Sequence, residues 1–224
     1  MPLLFPQGKY CKNNRLARLL PQINGYDCGA YPWSNDKRVK LDPSRNRLLD
    51  ARQVASPNFD ERPAGCEISL IVIHGISLPP GEYGGPEIDH FFTNTLDTEA
   101  HSYFSEIAHL QVSSHLLIRR DGEVVQYVPF LQRAWHAGES SYDGCEACND
   151  FSIGIELEGQ DEEAYAAVQY ERLAEVIHCL TESFPGLSKE RLAGHCDIAP
   201  HRKTDPGPAF DWAQLHRQLD AAVS

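Results

Sequence analysis

Glu67-Ile-Ser-Leu-Ile-Val-Ile-His74 is apolar at almost every position and ends on a histidine. A strand with one wet face would alternate, so this run reads as a strand covered on both faces. Ser152-Ile-Gly-Ile-Glu-Leu-Glu158 does alternate, with Ile153, Ile155 and Leu157 on one face and small or acidic residues on the other. His115-Leu-Leu-Ile-Arg-Arg-Asp-Gly-Glu-Val-Val-Gln-Tyr127 reads as a hairpin turning at Asp121-Gly122. Residues 85–110 read as helical, with Phe104, Ile107, Ala108 and Leu110 in the final turns. Tyr165, Val168, Leu173, Val176, Leu180 and Phe184 recur near period 3.6 and predict a helix over 162–184. A Pro- and Gly-rich loop, 194–208, precedes a short last helix that starts near Asp211. The expected class is α/β (α+β), a central mixed β-sheet flanked by helices.

Outside this core, composition narrows the field. The 224 residues carry 20 Lys plus Arg against 32 Asp plus Glu, a net charge of −12. That balance repels phosphate backbones, so no nucleic-acid partner is expected. With 42% hydrophobic residues the chain can bury a core. No apolar run approaches the roughly 20 residues that span a bilayer, so no membrane partner is expected either. The N-terminus lacks a signal peptide's basic-then-apolar order. Seven cysteines, an odd and scattered set, do not describe a secreted disulfide scaffold. Cys145-x-x-Cys148 is their one close pair, and a lone pair of this kind reads as two ordinary thiols. A reducing cytoplasm is the expected compartment, and a monomer the expected state. Residues 1–45 show no sustained apolar period and read as a loosely ordered extension before a domain over 46–224. Met1 is the chain's one methionine, so the extension is either real or a start-site artefact, with Val39 a candidate start.

Titratable groups concentrate in the 194–208 loop, which holds His195, Cys196, Asp197, His201, Lys203 and Asp205. Rigid loops of this kind commonly carry function. His74, taken alone, reads as a satisfied imidazole at a strand end. Together the two elements suggest a catalytic metal site, since zinc hydrolases use three His, Asp, Glu or Cys ligands and keep one position open. Spacing alone leaves three possibilities: His195 with Asp205, His201 with Asp197, or a site built on Cys196. Glu156 sits above the small residues Ser152 and Gly154, which leave room for a substrate. By alternation alone, Glu156 and Glu158 form the wet face of a half-buried strand.

Four segments resemble one family. They are Val72-Ile-His-Gly-Ile-Ser-Leu-Pro-Pro-Gly-Glu-Tyr-Gly-Gly85, Ala134-Trp-His-Ala-Gly138, Asn149-Asp-Phe-Ser-Ile-Gly-Ile-Glu-Leu-Glu-Gly159, and Gly194-His-Cys-Asp-Ile-Ala-Pro-His-Arg-Lys-Thr-Asp-Pro-Gly-Pro-Ala-Phe-Asp-Trp212. In this order they are similar to the AmpD amidases, cytoplasmic zinc N-acetylmuramoyl-L-alanine amidases of cell-wall recycling. That family belongs to a wider fold group that includes the peptidoglycan recognition proteins. The resemblance implies zinc ligands at His74, His195 and Asp205, a catalytic glutamate at Glu156 and a catalytic lysine at Lys203. It implies hydrolysis of the lactyl–L-alanine amide of 1,6-anhydro-N-acetylmuramyl peptides.

The implied chemistry suits these side chains. A zinc ion lowers the pKa of bound water and polarises a carbonyl. Glu156 is expected to take the water's proton, and Lys203 to face the developing negative charge. Trp135 offers a flat surface for sugar or peptide. At three positions the chain departs from the family pattern, with Gly75 in place of asparagine, and Gln111 and Ala147 in place of arginine. Weaker discrimination at the far end of the stem peptide is therefore expected, unless Arg119, Arg133 or another arginine fills the gap. Two alternatives stand beside this one: a broader amidase acting on murein, and a non-catalytic peptidoglycan-recognition module.

Overall fold

A computed structural model describes residues 39–221; most of the expected extension lies outside them. Twelve strands run in chain order as β1 (Leu41–Asp42), β2 (Arg47–Leu48), β3 (Arg52–Gln53), β4 (Phe59–Glu61), β5 (Leu70–Ile76) and β6 (Leu116–Ile118). They continue as β7 (Val124–Gln126), β8 (Gln132–Ala134), β9 (Ser141–Tyr142), β10 (Cys145–Glu146), β11 (Ser152–Glu158) and β12 (Leu192–Gly194). The helices are α1 (Glu87–Phe92), α2 (Ser102–Ile107), α3 (Ala167–Ser183), α4 (His195–Ile198) and α5 (Trp212–Ala221).

Six strands form one sheet in the order β12-β5-β11-β6-β7-β3. Its pairings are parallel except for the β6–β7 hairpin, so the sheet is mixed, as the pattern predicts. The hairpin turns through Gly122 at φ +89°, a conformation that favours glycine. The long apolar strand and the 162–184 helix appear as β5 and α3, both shorter than their sequence signals.

The two sheet faces differ in character. Ile71, Ile73, Ile153, Ile155 and Leu157 pack with Leu173, Val176, Ile177 and Leu180 of α3 and with Leu215 and Leu219 of α5. On the opposite face the apolar contacts split into two groups. One joins Leu117 and Val125 to Ile88, Phe91 and Phe92 of α1 and Phe104 of α2. The other joins Leu70 and Val72 to Ala137, Phe151, Ala193 and Ile198. Between them β11 presents Ser152, Gly154 and Glu156, leaving a polar strip in an otherwise apolar layer.

Two expectations need correction. Residues 85–110 do not form one helix: α1 ends at Phe92, and Asn94 takes a left-handed φ of +59°. The Thr93 hydroxyl donates to the Asp89 carbonyl, a local bond of the kind that competes with helix continuation. Nor is β11 half wet, because all seven of its residues are buried. Its alternation separates two covered layers, one apolar and one polar.

Candidate active site

Strand register brings the first two groups together. β5 and β11 run parallel with Glu156 opposite His74, so both side chains leave the sheet on one face. β12 flanks β5 on its other side and ends at Gly194, delivering His195 to the same edge. The 194–205 loop closes on itself. Cys196 N–H donates to the Asp205 carbonyl at 2.9 Å, and Gly194 N–H donates to Asp197 Oδ2 at 2.7 Å. Asp197 is thereby spent on the loop, and His201 is exposed.

Closure brings Asp205 up to both histidines. Asp205 Oδ2 lies 3.1 Å from His195 Nδ1 and 3.3 Å from His74 Nδ1, and the two Nδ1 atoms are 3.0 Å apart. Two imidazole nitrogens and a carboxylate oxygen, one from each residue, lie within 4.8 Å of one another. This set is able to hold a metal ion, and its two nitrogens and one oxygen suit zinc. Of the three open combinations, the geometry gathers His74, His195 and Asp205.

Electrostatics support a cation here. Burial pushes His74 down to about 4, and neighbouring His195 adds to the effect while Asp205 opposes it. Burial alone would raise Asp205, but the neighbouring His195 and His74 overcome that and hold the carboxyl well below its usual range. Neutral imidazole and ionised carboxylate are the forms that bind metal.

Glu156 is buried, and its Oε2 has no hydrogen-bond partner. Burial drives its pKa well above the usual carboxylate range; the charge of Asp205 adds to this, and Lys203 opposes it. Lys203, half-buried, also lowers His74, so its charge acts on both Glu156 and His74. A buried base with a raised pKa next to a cation is an arrangement suited to general acid–base work.

The other expected positions sit apart from this group in their polar contacts. Trp135 is half-buried, and its indole N–H donates to Asp60 Oδ1 at 3.2 Å. Gln111 is exposed, and Ala147 holds a left-handed φ of +59°. Gly75 is confined by its neighbours, since a Cβ there would lie 2.4 Å from the Tyr165 hydroxyl, which donates to the Pro206 carbonyl. Arg119 is tied to Glu158 and Glu123, and Arg133 to Asp150 and Asp60. Cys148 is a buried free thiol, whereas Cys145 is disulfide-bonded, so the pair is not two ordinary thiols as its spacing suggested.

Sequence reasoning gives no role to three buried groups, His136, His115 and the Ser152 hydroxyl. His136 Nδ1 lies 2.9 Å from His74 Nε2, and its Nε2 lies 3.1 Å from Ser152 Oγ. His115 Nδ1 accepts from Gly154 N–H at 3.0 Å. Burial holds His136 and His115 well below the usual histidine range, and nearby positive charge acts in the same direction. The available signal is position: His136 lies inside one of the four quoted motifs.

Comparison with known proteins gives the family. A protein of Escherichia coli (strain K12) named 1,6-anhydro-N-acetylmuramyl-L-alanine amidase AmpD is 62% identical over 168 residues, 75% of this chain and 91% of that one. A crystal structure of an AmpD derivative superposes with a TM-score of 0.77 at 59% identity, covering 80% of this chain and 98% of the other. The solution structure of Citrobacter freundii AmpD matches with a TM-score of 0.57 at 60% identity, covering 77% and 91%. Residues 64–208 match the family described as N-acetylmuramoyl-L-alanine amidase. The chain belongs to that amidase family and, within it, stands with the AmpD enzymes.

Proposed function

We propose that the chain is a zinc-dependent, cytoplasmic amidase of cell-wall recycling that cleaves the lactyl–L-alanine amide of 1,6-anhydro-N-acetylmuramyl peptides. One observation carries the reading: a buried carboxylate oxygen without a partner, on Glu156, stands in register with one of three converging metal donors. His74, His195 and Asp205 would hold the zinc, which when bound supplies a Lewis acid and a water of lowered pKa.

The chain's own groups do the rest. Glu156 accepts the proton of the attacking water and returns one to the departing amine of L-alanine. Its raised pKa suits both transfers, because a strongly acidic carboxyl would take the proton poorly. Lys203 faces the negative charge that develops on the amide oxygen. Water thus adds across one C–N bond, leaving a lactyl carboxylate on the anhydro sugar and a free peptide amine. Trp135, half-buried just after β8, would offer a ring face to the sugar or peptide. Residues 46–224 form the catalytic domain in this reading.

The test is direct. Purified protein is incubated with 1,6-anhydro-N-acetylmuramyl tripeptide, and the products are identified by mass spectrometry. Free tripeptide and anhydro-N-acetylmuramic acid are expected, with loss of activity under a chelator and recovery with zinc. An uncut substrate in zinc-loaded protein would overturn the substrate; cleavage indifferent to chelation would overturn the metal.

A further inference from the structure

His136 and Ser152 take no part in the steps above, yet both are buried, and His136 lies against His74 of the metal-donor group. We infer that His136 is a positioning residue: held by Ser152, it keeps the proton of His74 on Nε2 and leaves the Nδ1 lone pair free to bind the metal. The inference rests on the proposed metal site.

The chain of contacts can run in one direction. The Cys148 carbonyl can only accept, so the Ser152 hydroxyl donates to it at 2.6 Å. With its proton committed, Ser152 Oγ accepts from His136 Nε2–H at 3.1 Å. A neutral imidazole carries one N–H, so His136 Nδ1 is an acceptor. His74 Nε2, 2.9 Å away, must then be the donor. Its Nδ1 is left without a proton, facing His195 Nδ1 and Asp205 Oδ2. A backbone carbonyl thus sets the lone pair of a metal ligand through two intervening side chains.

The adjoining residue treats His195 in the same way. His195 Nε2 lies 3.2 Å from the Ala137 carbonyl, which can only accept, so its proton also sits on Nε2. Two consecutive residues therefore orient both imidazoles. Asn149 fixes that pair, its Oδ1 accepting from His136 N–H at 3.1 Å and Ala137 N–H at 2.8 Å. Gly154 makes room for the ring, since a Cβ there would lie 2.5 Å from His136 Cγ. Three acceptors then converge with no proton among them, so metal entry need not expel one.

The experiment uses the full chain, with and without zinc. Long-range ¹⁵N–¹H spectra of the imidazoles should show His74 protonated on Nε2 in both states. Zinc affinity, measured by competition with a chromogenic chelator, should fall roughly ten- to hundredfold in His136→Leu, the usual loss for such a partner. His136→Asn, which keeps an acceptor near the Nδ1 position, should recover most of it, and Ser152→Ala should lose less than His136→Leu. A proton on His74 Nδ1, or ligation through Nε2, would overturn the inference, as would a folded His136→Leu with parental affinity. The spectra decide the matter even if His136→Leu does not fold. Failure of the unsubstituted chain to bind zinc while His74 keeps its Nε2 proton would instead fail the metal reading alone.

Discussion

Glu156 and Glu158 stand two residues apart on one face of β11, and both are buried, at 8% and 2% exposure. Their surroundings are opposite. Glu158 Oε1 accepts from Gly84 N–H at 2.7 Å and Arg119 at 3.2 Å, and its Oε2 accepts from Arg120 N–H at 3.1 Å. Glu156 Oε2 has no partner, and the charges of Asp205 and Lys203 act on the carboxyl in opposite directions. One carboxylate anchors the loop that follows β5, while the other is held available. Burial alone does not distinguish a structural acid from a reactive one; the count of donors does.

Substituting each glutamate is the strongest way to break that contrast. Glu156→Gln should lower turnover by about 10²–10⁴-fold with zinc retained, the usual contribution of a general base. Its stability should move the other way. The folded pKa of Glu156 is raised, so ionisation in the folded state costs more as pH climbs above the unfolded value. Glutamine escapes this cost, and thermal melts should show the variant equal to or above the parent at about pH 8, with the gap closing near pH ~5. A variant that loses zinc along with turnover would refute the assigned role. Glu158→Gln should do the reverse, costing about 3 kcal/mol because Arg119 is left short of a buried partner. Its kcat/KM per folded molecule should stay near parental, and a matching collapse in both variants would erase the distinction.

Lys203→Met sharpens the contrast from outside the strand. Turnover should fall about 10²-fold if Lys203 faces the developing oxyanion. Because the Lys203 charge lowers the pKa of Glu156, its removal should also move the acid limb of the kcat/KM profile to higher pH. A limb that stays put would separate the two groups. The smallest effect concerns a third carboxylate, that of the substrate's peptide end. Ala147→Arg should lower KM for the anhydro-muramyl tripeptide against the dipeptide by about tenfold, or ~1.4 kcal/mol, with kcat unchanged. A strong tripeptide preference already present in the parent, and unmoved by the substitution, would show that another group reads the peptide.

Much of this is legible in the chain, and particular residues show why. β5 and α3 stand out because burial on two faces and burial on one leave different periods, and both are present at length. β12 leaves no such mark, since Leu-Ala-Gly is too short to carry a period. β11 is legible as a strand but its polar face passes for a wet one, because period reports alternation and not what lies above it. Residues 85–110 pass for one helix because apolar residues at both ends hide the break at Asn94. His74, His195 and Asp205 emerge as a set through family likeness, whereas spacing alone leaves Asp197, His201 and Cys196 in play. His136 has no spacing rule to reveal it, because its partners, His74 and Ser152, are set by the fold and not by its neighbours in sequence.

The register of β5 against β11 has a kinetic consequence. Glu156 meets His74 through a parallel pairing of strands far apart along the chain, from Ser152 opposite Leu70 to Glu158 opposite Ile76. A slip of one residue would turn one of the two partners to the opposite face. Such distant parallel contacts form slowly, because a long loop must close before they contribute stability. Helix signal should therefore return early when the denatured chain is diluted into buffer with zinc, and hydrolysis only once this register is made. The lag between far-ultraviolet ellipticity and recovered turnover would time the joining of these two strands.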